Sequence, residues 1–130
     1  MDYIIRKNSI VYIDEALIDK TLRKYLIDLS KSYFKNIKSI RDTVKTKLKI
    51  YRNIPLYISK DIFLVPITSL NINYYINYSR LKETYTKDGI TTFIFNDGRV
   101  INLTISKQIM DRINRNVEKV YDYISLIEYF

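Results

Sequence analysis

The stretch ITTFIFNDGRVINLTIS, Ile90 to Ser106, limits the possible folds more than any other part of the chain. Asp97-Gly98, between Asn96 and Arg99, suits a two-residue type I′ hairpin turn, which needs positive φ at both central positions. Pairing Asn96 with Arg99 sets Ile94 opposite Ile101, Thr92 opposite Leu103 and Ile90 opposite Ile105. That register makes one face of the hairpin almost wholly apolar and predicts it to point inward. The other face carries Phe93, Phe95 and Val100 among Thr91, Asn102 and Thr104. Directly afterwards the period becomes helical: Ile109, Ile113, Val117, Val120, Ile124 and Ile127 recur at spacings of three or four. Such a stripe usually packs on a sheet, and a dimer contact is its second use. Thr104 or Ser106 can cap the start of this helix. Asp111 and Arg115 form an i,i+4 pair worth ~0.2–0.5 kcal/mol. A hairpin feeding a long amphipathic helix predicts an α+β fold, mostly antiparallel sheet closed by a C-terminal helix.

The earlier residues read mainly as short strands. Asp2 to Arg6 and Ile10 to Ile13 flank the polar turn Lys7-Asn8-Ser9. Tyr25-Leu26-Ile27 is either another short strand or the end of a helix that begins near Asp14. Phe34, Ile37, Ile40 and Val44 support a helix of about three turns, possible as a short basic helix in the middle of the chain. From Thr43, however, Val44, Thr46, Leu48 and Ile50 alternate with Lys45, Lys47 and Lys49, which predicts a strand with one lysine face. The two periods compete around Val44. Pro55 and Pro66 favour extended geometry at Ile54 and Val65, so Leu56–Ile58 and Ile62–Val65 read as strands. Tyr74 to Tyr85 reads as a strand that changes face or bulges. Repeats and Pro/Gly linkers are absent from the sequence, which predicts one domain over residues 1–130.

Charge is where function enters. The formal net charge is +8, and Lys31 to Lys60 holds nine basic residues against Asp42 alone, which is 9 − 1 = +8. The remaining residues balance at thirteen basic and thirteen acidic, from totals of 22 and 14. An AT-rich coding bias accounts for abundant lysine, but not for the local loss of acids. With neither Cys nor His, the chain lacks disulfides, thiolate metal sites and the usual general base. Gly89 and Gly98 both fall in turns and cannot build a phosphate-cradling loop. The sequence points away from catalysis and predicts no cofactor, metal or small-molecule substrate. No apolar run reaches the ~20 residues of a membrane span, so a cytoplasmic protein without a membrane partner is expected. The clustered bases match what a phosphate backbone selects, through release of condensed counterions. The candidate contacts are Lys31, Lys35, Lys38, Arg41, Lys45, Lys47, Lys49 and Arg52. Arg41, the guanidinium in the middle of the run, suits the strong negative potential of a narrow A·T-rich minor groove. The bland alternative is a solvated lysine face that keeps a strand edge soluble. The tyrosines of NYYINY offer base stacking, but basic residues are missing from that segment until Arg80. A half-buried strand is the better reading of them.

With these residues in place, the chain resembles the ComK competence transcription factors of low-GC Gram-positive bacteria. LIDLSKSYFKNIKSIRDT is similar to the family's Ile-Asp-x-Ser segment, with Asp28, Ser30, Phe34 and Arg41 at matching positions. IPLYI, DIFLVPITS and YINYSRLKE resemble further family blocks in order, with Tyr75 in place of a Trp. ITTFIFNDGRVINLTIS resembles the family's strand, Asn-Gly turn and strand. The resemblance implies a DNA-binding transcription regulator that acts as a homodimer or dimer of dimers at paired A/T-rich boxes of duplex DNA, through the minor groove. RNA polymerase is the further partner expected of such a regulator. The family's glycines and cysteine are replaced in the basic segment, where Lys31, Lys35 and Ile40 stand. The family's longer C-terminal tail has no counterpart, so a relative that binds DNA without activating transcription is one expectation. The alternative function is a non-catalytic protein-interaction module or decoy partner of a related regulator.

Overall fold

The computed structural model describes residues 1–128. The chain opens with three short strands, β1 (Tyr3–Lys7), β2 (Ile10–Ile13) and β3 (Ala16–Ile18). Two helices follow, α1 (Leu22–Ser32) and α2 (Ile37–Leu48), then β4 (Leu56–Ser59), β5 (Ile62–Ser69) and β6 (Ile72–Asn77). A 3-10 turn (Tyr78–Arg80) leads to β7 (Leu81–Lys87), β8 (Ile90–Phe95), β9 (Val100–Thr104) and the long α3 (Lys107–Glu128). The fold is α+β. Its six-stranded sheet runs β3-β2-β1-β6-β5-β4, and a second sheet runs β7-β8-β9; every pairing is antiparallel.

The larger sheet is buried on both faces. One face packs Ile4, Val11, Leu56 and Leu64 against Leu22 and Leu26 of α1 and Ile37 of α2. The other packs Tyr3, Phe63, Val65, Ile67 and Ile76 against Phe93, Phe95 and Leu103 of the second sheet and Met110 to Val120 of α3. Strict alternation along β5 serves both layers, with Ile62 and Leu64 on one side and Phe63, Val65 and Ile67 on the other. The Tyr74–Tyr85 segment turns out to be two strands of different sheets, joined by the 3-10 turn. Asn77, only 1% exposed, holds that junction. Its Oδ1 accepts from the Phe63 and Ser79 N–H groups at 2.9 and 3.2 Å, and its Nδ2 donates to the Met1 and Asp61 carbonyls at 2.8 and 3.1 Å. A fully satisfied buried amide thus fixes where the chain leaves one sheet for the other.

The hairpin at Ile90–Ser106 exists, but its register differs by one residue from the expected one. Phe95 pairs with Arg99, donating to its carbonyl at 2.8 Å and accepting from Gly98 N at 3.0 Å. The loop is therefore Asn96-Asp97-Gly98, with Gly98 at φ +90° and the Asp97 Oδ1 accepting from Arg99 N at 2.9 Å. This is a tight turn plus glycine bulge, in which Asp97 keeps an ordinary φ. The shift moves Ile94 opposite Val100 and turns the whole of β8 over. Phe93 and Phe95 are fully buried, whereas Ile90 is 40% exposed. Burying two aromatic rings removes more apolar area than burying two isoleucines, so the packing favours the observed register. On the other strand, Leu103 and Ile105 do face inward as expected. Two-residue turns with both residues at positive φ occur instead at Asn8-Ser9, Asp14-Glu15, Leu70-Asn71 and Asp88-Gly89.

The Thr43–Ile50 strand does not form; α2 continues to Leu48. Asn36 caps its start, accepting from Ser39 N at 3.0 Å, and Lys49 ends it in the left-handed region at φ 58°. Lys, Arg and Leu are good helix formers, and the caps satisfy terminal groups that a lysine-faced strand leaves open. In α1, Thr21 is the cap, and the segment near Asp14 is a turn into β3 rather than a helix start. In α3 the buried stripe starts at Met110 and continues through Ile113, Val117 and Val120, leaving Ile109 exposed. Ser106, not Thr104, supplies the cap, accepting from Ile109 N at 3.3 Å. Asp111 is held by Lys107 at 2.9 Å, one turn before it, rather than by Arg115.

Arg99 ties the hairpin tip to the N-terminal strands. Its Nη1 lies 3.1 Å from Asp2, 3.2 Å from Asp14 and 3.9 Å from Asp97. Burial, followed by the hydrogen bond and repulsion from Asp97, raises the Asp2 carboxyl from 3.8 to about 6 despite Arg99. The folded chain thus holds this proton more tightly than the unfolded one. Its stabilising contribution is complete below the ordinary carboxylate value and is lost as pH rises through about 6. Asp2→Asn, which cannot ionise, should therefore gain on the wild type by up to about 2 kcal/mol between pH 4 and 7. Thermal unfolding of both proteins across that range checks this; a constant difference in Tm contradicts it.

Candidate nucleic-acid interface

The basic residues acquire a common geometry through α1 and α2. Packed side by side on the same face of the sheet, the two helices leave a cleft of about 640 Å³ between them. Along α1, Arg23, Ile27, Ser30 and Lys31 follow helical spacing and line one wall. Along α2, Lys38, Arg41 and Lys45 line the other, while Ile37 and Val44 turn toward the core. Lys35 closes the end between the helices, and Arg6 of β1 and Tyr75 of β6 reach the cleft from the sheet.

Seven cations meet there: Arg6, Arg23, Lys31, Lys35, Lys38, Arg41 and Lys45. Asp42 is the one carboxylate in the lining, so the cleft carries 7 − 1 = +6 of the chain's +8. Among the described residues, none of the seven forms a salt bridge. The nearby Asp28 is committed elsewhere. It binds Lys20 at 3.0 Å and Lys24 at 3.1 Å on the outer side of α1, and those hydrogen bonds, Lys20 first, lower its carboxyl below the ordinary value. Arg6 is held without being neutralised. With the Asn73 amide turned so that its oxygen faces the guanidinium, that oxygen accepts from Arg6 at 2.6 and 3.2 Å.

Five of the eight sequence-derived candidates, Lys31, Lys35, Lys38, Arg41 and Lys45, line the cleft; Lys47, Lys49 and Arg52 do not. Lys47 follows Lys45 by two residues, roughly 200° around the helix, and is exposed on another side of α2. Lys49 is the helix cap and Arg52 lies in the following bend. Arg6 and Arg23 were not legible as members, because nothing local in the sequence links them to Lys31–Arg52. Among the family-like positions, Ser30 and Arg41 line the cleft while Asp28 faces outward. Of the tyrosines, Tyr74 and Tyr78 pack toward the second sheet and α3, with Tyr78 donating to Asn114 Oδ1 at 2.9 Å. Tyr75 alone faces the cleft.

Phe34 takes no part in the α2 stripe that the spacing suggests. It lies between the helices at φ 59° and is 98% exposed. Lys35 N donates to the Ser30 carbonyl and Phe34 N to the Lys31 carbonyl, the hydrogen bonds of a Schellman motif. Phe34 occupies its left-handed position, where glycine is ordinarily found. The helix end thus keeps a glycine-like backbone without a glycine. Beside it, Ile40, Leu48, Tyr57 and Ile124 line an apolar groove of about 350 Å³ between α2 and α3. Among the described residues, no group of His, Cys, Asp and Glu is placed to hold a metal ion, and no helix is long and apolar enough to cross a membrane.

Comparison with known proteins returns no matching family model, no matching curated protein and no matching solved structure.

Because Phe34 spends a bulky side chain on a left-handed backbone without burying it, Phe34→Gly should stabilise the protein by about 0.5–1 kcal/mol. Denaturant unfolding measures this. A loss of stability would mean that the ring has a packing partner.

Proposed function

We propose that this chain is a sequence-preferring DNA-binding transcription regulator of the competence type, holding A/T-rich duplex DNA with the α1–α2 cleft. The observation that carries this reading is the convergence of seven cations from four parts of the chain, none in a salt bridge among the described residues, against a single carboxylate in the lining. An isolated lysine-rich helix would need no such convergence; a phosphate backbone rewards it, through counterions released as the cations take their place. A cleft of this size admits one phosphate ridge rather than a duplex cross-section. The rim lysines would bind that ridge. Arg41, half-buried in the middle of one wall, would enter the adjoining minor groove, where an A·T tract concentrates negative potential. The resemblance to competence regulators supports the regulatory half of the proposal, including a homodimer or dimer of dimers and RNA polymerase as a further partner.

A second reading has its own observation. The fully exposed Phe34 beside an apolar groove suits a non-catalytic protein-interaction module or decoy. A pull-down that survives nuclease treatment and is lost in Phe34→Ser would favour it.

For the DNA reading, gel shifts on A/T-rich and G/C-rich duplexes at several salt concentrations are decisive. With six phosphate contacts, log K against log[salt] should slope at about −5. Arg41→Ala should cost about 1–3 kcal/mol on the A/T-rich duplex and less on the G/C-rich one, whereas Lys47→Ala, outside the cleft, should change either by under about 0.5 kcal/mol. A flat salt response, or equal losses from the two substitutions, would remove the proposal.

A further inference from the structure

The floor of the cleft differs from its rim. A phosphate ridge engages only the rim, yet the cleft is also lined by Leu26 and the half-buried Tyr75 ring. Tyr75 is separated from Arg41 by more than thirty residues, and only the sheet brings it under the lysines. The objection that the tyrosine segment lacks basic neighbours holds along the chain and fails for this one ring in space. The volume of about 640 Å³ falls within the usual range for small-molecule sites. The cations come from two layers of the fold. Arg6 is anchored by Asn73 at the sheet, while Arg23, Lys38, Arg41 and Lys45 stand above on the helices. Ser30 offers little to a ligand, since its hydroxyl already donates to the Ile27 carbonyl at 2.9 Å.

We infer that this cleft binds a single nucleoside polyphosphate, with the base against Tyr75 and the apolar floor and the phosphates among the rim cations. A flat ring of modest polarity fits a floor of aliphatic and aromatic carbon; three or four negative charges fit an unneutralised rim. Neither half of the cleft is explained by the other's ligand. The inference uses the cleft of the DNA reading, and it predicts that free nucleotide and duplex exclude one another there.

Calorimetric titration of the full chain with adenosine triphosphate, inorganic tripolyphosphate and adenosine separates the two halves. Adenosine triphosphate should bind about fivefold to a hundredfold more tightly than tripolyphosphate, the difference that stacking one base on an aromatic ring supplies. Adenosine alone should bind more weakly than either. Tyr75→Leu, which keeps the apolar volume, should erase most of the gap while leaving tripolyphosphate within about twofold; Lys38→Gln should weaken both phosphate ligands. Tyr75→Phe should restore the wild-type order and so excludes a folding defect as the cause. Equal affinity for adenosine triphosphate and tripolyphosphate, or no binding of the nucleotide, overturns the inference. A single-stranded oligonucleotide that binds through Tyr75 where free nucleotide does not would overturn it as well. A duplex gel shift on the same preparation keeps the two readings apart. Duplex binding without nucleotide binding sinks this inference alone, and nucleotide binding without duplex binding sinks the DNA proposal alone.

Discussion

Like-charge repulsion across the α1–α2 cleft is the constraint around which this molecule is arranged. Seven cations lie around one small cavity, and among the described residues none is offset by an ion pair. What holds the two helices together against that repulsion is the apolar seam beneath them, where Leu22, Leu26 and Ile37 pack on Ile4, Val11 and Leu56. Each fully buried side chain of this kind contributes about 1.5–3 kcal/mol, whereas exposed charges in salt water repel one another far more weakly. Hydrophobic burial wins, and the charges stay close together without a salt bridge among the described residues.

The seam works because its supporting sheet cannot easily shift. That sheet is packed on both sides, so β5 and β6 are fixed by two cores at once. Asn77 closes the end of β6 with four side-chain hydrogen bonds, and Arg99 fastens the outer hairpin to Asp2 and Asp14 beside β1. Arg6 and Tyr75, the two sheet residues in the cleft, sit on β1 and β6, the neighbouring strands these contacts secure. The positions of these two cleft residues therefore depend on packing that lies well outside the cleft.

Fold class was legible because strand alternation and the α3 stripe are strong local signals. Register was not. Asp97-Gly98 satisfies two turn geometries that differ by one residue, and only the burial of Phe93 and Phe95 chooses between them. Likewise Val44, Thr46, Leu48 and Ile50 alternate as a strand would, but Asn36 and Lys49 cap a helix that consumes most of them. Of the turns with left-handed residue pairs, Asn8-Ser9 was legible from its polar residues between two apolar runs, whereas Asp14-Glu15 and Leu70-Asn71, which lack glycine, were not. Of the cleft, the lysines of Lys31–Lys45 were visible as a cluster. Arg6, Arg23 and Tyr75 were not, since their membership is created by helix packing and strand pairing alone. Lys47, Lys49 and Arg52 show the reverse case, close in sequence to the cluster and absent from the cavity.

The cleft cations repel one another in the folded chain, and under the proposed function an external polyanion would neutralise them. Unfolding at low and moderate salt, paired with duplex affinity, tests it on one variant, Lys38→Gln/Lys45→Gln. The account predicts opposite signs: higher stability than wild type at low salt, a gain that shrinks as salt is added, and weaker duplex binding. A variant that is less stable at low salt, or one that binds duplex as tightly as wild type, would contradict it.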